Sequence, residues 1–104
     1  MKNKTNEKHK PQIPSARGIR RSCSRELYRT VKRLKMYISP EKIEEAEKIY
    51  TRKVAQHIAF IVEHSDNRKV QADWWEEHVA PEIAVLWDVN ADTLSKAFRS
   101  AYGG

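Results

Sequence analysis

ISPEKIEEAEKIYTRKVAQHIAFIVEH, residues 38–64, is the stretch on which the fold turns. Ser39 is a ready N-cap, Pro40 suits a first helical position where its missing N–H is not needed, and Glu41 favours the positive end of the helix dipole. Ile43, Ala46, Tyr50, Val54, Ile58 and Ile61 then recur at helical spacing, with no Pro or Gly before about His64. The spacing predicts one unbroken helix, ~37 Å long at a rise of ~1.5 Å per residue, which exceeds the diameter of so small a domain. From Ala55 to Val62 nearly every position is apolar. Such a segment is expected to be buried on all sides, with a second chain as a source of cover.

The flanks are helical as well. From Ser22 to Lys35, Leu27, Val31 and Leu34 mark an apolar edge, and Arg25, Arg29, Lys32 and Arg33 fall on the opposite side. Downstream, Ser65-Asp66-Asn67-Arg68-Lys69 reads as a loop, followed by a helix over Ala72–Ala80 with Trp75 and Val79 inward, ended by Pro81. A short helix over Glu82–Trp87 is expected next. A last one follows, capped by Asn90 or Asp92, with Leu94, Ala97, Phe98 and Ala101 along its edge and Gly103 and Gly104 as the stop. No strand pattern competes, so the fold class is all-α. Residues 1–19 contain Pro11, Pro14 and Gly18 and almost no apolar side chains, which predicts a disordered basic tail. The expected organisation is therefore tail 1–19, helical domain 20–80 and a C-terminal helical extension 81–104.

Charge is unevenly spread. Residues 1–36 hold twelve Lys/Arg against Glu7 and Glu26, a net of +10, whereas residues 37–104 hold eight against twelve acidic residues, a net of −4. A cationic front on an acidic body fits a polyanionic partner, nucleic acid above all. No apolar run reaches membrane-spanning length, and MKNKTNEKHK has no apolar stretch behind its lysines, so neither a membrane anchor nor a secretory signal is expected. A single Cys23 forms no internal disulfide and fits a reducing compartment.

Helix, loop, long helix, loop, helix behind a basic tail resembles the histone fold of archaeal and eukaryotic core histones. The resemblance covers about residues 24–80. ISPEKIEEAEKIY is similar to the start of the long histone helix after its Val/Ile-Ser pair. EHSDNRKVQADWW, residues 63–75, is similar to the second histone loop, with His64, Val70 and Ala72 matching outright, and YRTVKRLK resembles a first histone helix. Tyr37 stands where the family has a minor-groove arginine, with Lys35 nearby. The family's loop Arg-Lys-Thr falls on Asn67, Arg68 and Lys69, and its clamping aspartate falls on Trp74, with Asp73 one position early. A one-residue shift would let Arg68 meet Asp73.

What the resemblance implies is a dimer of crossed long helices, as a homodimer or with another histone-fold chain, in which the first loop of one chain and the second loop of the other form one phosphate site. Candidate DNA contacts are Arg20, Arg21, Arg25, Arg29, Lys32, Arg33, Lys35, Arg68 and Lys69. The candidate dimer interface is Ile43, Ala46, Tyr50, Val54, Ile58, Ile61, Trp75 and Val79. The implied function is compaction of double-stranded DNA without sequence specificity, in a nucleus, chromosome or virion. Two alternatives stand beside it: a histone-fold subunit of a transcription or kinetochore-type complex, favoured by the −4 of residues 37–104, and a small helical regulator of phage or toxin–antitoxin type. His57, His64, His78 and Cys23 lack recognised zinc spacing, and Glu76 and Glu77 beside His78 come with no nucleophile motif or Gly-rich loop. No metal, cofactor, small-molecule substrate or enzyme activity is expected. Trp74 and Trp75 are candidates for base stacking, with core and interface as their plainer roles.

Overall fold

The computed structural model describes residues 13–104, which form six helices and no strand. Helix α1 (Ala16–Leu34) begins four residues before the expected domain boundary, because Ser15 accepts the Gly18 N–H at 3.0 Å and Ile19 already packs on the core. The helical part of 13–19 thus corrects the tail boundary; residues 1–12 lie outside the described residues. Cys23, Leu27 and Thr30 form the buried line of α1, and Lys35 ends it in the left-handed region at φ 57°.

Helix α2 (Pro40–Gln56) starts where Ser39 and Pro40 place it, with the Ser39 hydroxyl accepting the Lys42 N–H at 3.3 Å. It does not run on to His64. At His57 the backbone leaves helical geometry (φ −116°, ψ 30°), its N–H reaches both Lys53 and Val54 carbonyls, and a separate α3 (Ile58–Glu63) follows. No Pro or Gly causes this break. The break lies where the His57 ring packs against residues much further along the chain, 5.6 Å from Trp74 and 4.6 Å from His78. Nor is α3 covered on all sides by its own chain: none of its residues is fully buried, Ile58 and Ile61 lean on the core, and Ala59 and Phe60 are exposed.

Asn67 caps α4 (Arg68–His78) by accepting the Val70 N–H, which starts this helix four residues before the expected Ala72. Gln71 fastens the preceding turn, its Nε2 donating to the Ile61 and His64 carbonyls at 3.0 and 2.7 Å. Helix α5 (Ala80–Trp87) follows directly, and the Trp87 indole N–H donates to the Lys42 carbonyl at 3.0 Å, pinning α5 to the start of α2. Asn90 caps α6 (Ala91–Tyr102), and Gly103, at φ 93°, closes it.

The core gathers around α6. Phe98 stacks on Trp75 of α4 with ring centroids 3.9 Å apart and 3° between planes, and Tyr50 of α2 meets both rings edge-on at 6.3 and 6.1 Å. Helix α6 also lies along α1 and against α5. Residues 81–104 are therefore no extension: Ile83, Trp87, Leu94 and Phe98 are core side chains. This also corrects the expected dimer interface. Ala46, Tyr50, Val54, Trp75 and Val79 are buried within the one chain, and of that set only Ile43, Ile58 and Ile61 are left half-covered. An apolar stripe marks the face that is covered, not which chain covers it.

Leu94→Ala and Phe98→Ala should each destabilise the protein by roughly 2–5 kcal/mol, as large-to-small changes in a packed core do. Chemical denaturation followed by circular dichroism measures this; a helix merely appended to the domain would leave the midpoint almost unmoved.

Candidate polyanion-binding surface

Seven Lys/Arg and one acid, Glu26, lie on α1. Arg17, Arg21, Arg25, Tyr28 and Lys32 follow one another at steps of three or four, so they share a face, with Arg29 and Arg33 beside them. All seven cations are exposed; Arg20, two turns before Leu27, lies on the side of the buried line, and the other six point away from Cys23, Leu27 and Thr30. Among the described residues, none of the seven pairs with a carboxylate. Arg33 reaches only the Ser100 hydroxyl at 3.1 Å, and the Lys32 ammonium sits 4.8 Å from the centre of the Tyr28 ring.

The one acid of α1 is turned away from that face. Glu26 accepts a short hydrogen bond from the Tyr50 hydroxyl. Burial raises the pKa of Glu26, against the lowering effects of that hydrogen bond and of the Arg25, Arg68 and Arg29 charges. Tyr50 is pushed well above the usual tyrosine range by its own burial and then by the Glu26 charge. Cys23 nearby is buried and its thiol is pushed up to about 12, chiefly by desolvation, so it carries no thiolate at neutral pH.

Between the first half of α1 and α2 runs a groove of about 640 Å³, lined by Arg17, Arg20, Arg21, Ser24, Arg25, Tyr28, Ile43 and Glu47. The Ser24 hydroxyl donates to Glu47 at 2.9 Å and holds that carboxylate on the α2 side. Arg20 borders a further depression with Lys48 and Arg52. Lys35 is exposed at the end of α1.

Arg68 and Lys69, expected to form half of a phosphate site, are occupied within the chain. Arg68 donates to the Tyr102 carbonyl at 2.8 Å and lies 5.0 Å from the Tyr102 ring centre. Lys69 lies 3.5 Å from Asp73. The expected Arg68–Asp73 clamp does not form; Arg99 takes that place, 2.6 Å from Asp73 and 2.8 Å from Glu76. The Arg99 hydrogen bond holds Asp73 below the usual carboxylate range, and a Lys53 hydrogen bond does the same for Glu82. Composition alone puts Arg17 in the expected tail and gives Tyr28 no role. The spacing Arg17–Arg21–Arg25–Tyr28 is the signal that places both on the cationic face.

Trp74 and Trp75 are buried, so neither offers a ring to a nucleic-acid base. The rings of His57 and His78 meet, yet no group of three or more His, Cys, Asp or Glu among the described residues is placed to hold a metal ion. Likewise, no helix among the described residues is long and apolar enough to cross a membrane. Comparison with protein-family models, with characterised proteins and with solved structures finds no match to this chain.

Glu26 allows a test with a definite sign. Its raised folded-state pKa means that its contribution is fully present below the ordinary value of 4.5 and is lost as pH rises through the folded value. Glu26→Gln keeps an acceptor for Tyr50 and removes the titration. The variant should be more stable than the parent at pH ~8, and the difference should vanish at pH ~4, below the unfolded value. Urea midpoints across that range measure it.

Proposed function

We propose that this chain binds nucleic acid through its phosphate backbone, without reading sequence, using the cationic face of α1. One contrast carries the reading. Four of the eight cations of residues 37–104 pair with carboxylates of the same chain, Arg52 and Lys53 with Glu82, Lys69 with Asp73, and Arg99 with Asp73 and Glu76, and Arg68 is held by the Tyr102 carbonyl. Those of α1 have no such partner among the described residues, and they recur turn by turn along one helix face. A row of guanidinium groups on a rigid helix gains affinity by releasing condensed counterions, and such contacts carry no sequence information. On this reading a single chain holds the site, and the Arg68–Lys69 turn is peripheral to it. Compaction of double-stranded DNA, implied by the histone resemblance, is the fullest form of the proposal.

Duplexes of unrelated sequence should bind with similar affinity and with a steep salt dependence. Replacing Arg21, Arg25 and Arg29 by Gln should shrink the log–log salt slope by about one unit for each phosphate no longer held. Arg68→Ala with Lys69→Ala should change it less. Anisotropy titrations over a salt series measure this, and a triple variant that keeps the parental slope would rule out the α1 face.

A second reading, pairing with another helical chain as in a histone dimer, draws on α3. Its sequence IAFIVE has no fully buried residue, and Phe60 stays exposed. Pairing predicts a dimeric mass by light scattering and an unfolding midpoint that falls on dilution. A monomeric mass with a fixed midpoint ends this reading and leaves the first intact.

A further inference from the structure

The groove between α1 and α2 contains a group that phosphate binding alone does not use. Tyr28, next in sequence to the buried Leu27, is itself 58% exposed. It lines the groove together with Arg21 and Arg25, seven and three residues before it, and Lys32 covers one face of its ring from the next turn. The ring is therefore oriented, flanked by cations, and open towards the groove.

Resting on the nucleic-acid reading above, we propose that this groove takes a single strand, with an unpaired base stacked on Tyr28 and the adjoining phosphates on Arg17, Arg21 and Arg25. A duplex meets the groove with a convex, rigid backbone and keeps its base faces inside, so it touches the arginines and offers nothing to the ring. A single strand is flexible enough to enter and supplies a π-face at every nucleotide, which is the pairing of aromatic platform and cationic track that sequence-tolerant single-strand binders use. The groove is open, and its volume of about 640 Å³ gives room for one or two nucleotides beside the ring.

The lining also orients the strand. The arginines belong to α1, whereas Ile43 and Glu47 stand on the α2 side, where Ser24 holds the Glu47 carboxylate. A carboxylate repels phosphate and accepts hydrogen bonds from the amino groups of bases. Phosphates therefore run along α1, and base edges turn towards Glu47 and Ile43.

The test uses the full chain with a labelled oligothymidylate, a labelled mixed-sequence single strand and the duplex of matching length. Polyglutamate and inorganic polyphosphate serve as competitors. The single strands should bind more tightly than the duplex. Tyr28→Ala should lower the preference for single strand over duplex by roughly five- to 150-fold, the range for loss of one base–aromatic stack, while Tyr28→Phe should keep it. Circular dichroism checks that both variants retain their helix. If duplex binds as well as single strand and Tyr28→Ala leaves the ratio alone, the stacking inference is overturned and backbone binding by α1 stands. Displacement by polyglutamate or polyphosphate at equal charge, with the Tyr28 variants silent, marks a site for acidic chains in general and overturns the inference too. If neither strand nor duplex binds, the nucleic-acid reading itself falls.

Discussion

The stack of Trp75 on Phe98 is the constraint around which the rest of the protein is arranged. It joins α4 to α6 across twenty-three residues of chain, and Tyr50 brings α2 edge-on to the same point. Burying an aromatic ring of this size contributes about 3 kcal/mol, and a well-set aromatic pair adds about 1 kcal/mol. Because α6 must reach Trp75, it is laid along α1, where Leu94 and Phe98 are buried in the core that also holds Cys23 and Leu27. Helices α1 and α6 are thereby neighbours, and α1 gains a rigid backing for its exposed side.

That backing matters because the cationic face is a liability to the helix that carries it. Like charges one turn apart oppose helix formation by a few tenths of a kcal/mol per pair. In α1 the cost is offset by the Ser15 cap and by the packing of Cys23, Leu27 and Thr30 against neighbouring helices. On the proposed reading, a bound polyanion would screen this repulsion and so add to the stability of the fold.

The far end of α6 is fastened in part by Arg68, one of the two residues expected to hold a phosphate. Arg68 holds the Tyr102 carbonyl, and Arg99 gathers Asp73, Glu76 and the Gly104 carbonyl. Gly104 lies so close to the α4 backbone that a Cβ there would come 2.5 Å from the Arg68 oxygen, so no other residue fits without movement. The charged turn of residues 65–69 thus serves the junction between α4 and the C-terminal helix, and the free cations lie elsewhere.

Local chemistry is what could be read from the residues in order. The Ser39-Pro40-Glu41 start, the Asn90 cap, the Gly103 stop, the all-helical class and the two-sided character of α1 all depend on side chains within a turn or two of one another, and each is present as expected. Only the tertiary structure decided the remainder, because it rests on meetings between distant parts of the chain. The central helix breaks at His57, whose ring meets Trp74 and His78 from beyond the following turn. Arg99 claims Asp73 from twenty-six residues away. The stripe of Ala46, Tyr50 and Val54 is covered by the chain's own helices. Periodicity states that a face must be buried and charge states that a face must be wet; neither names the partner, since burial and pairing are properties of surfaces that exist only once the chain has folded.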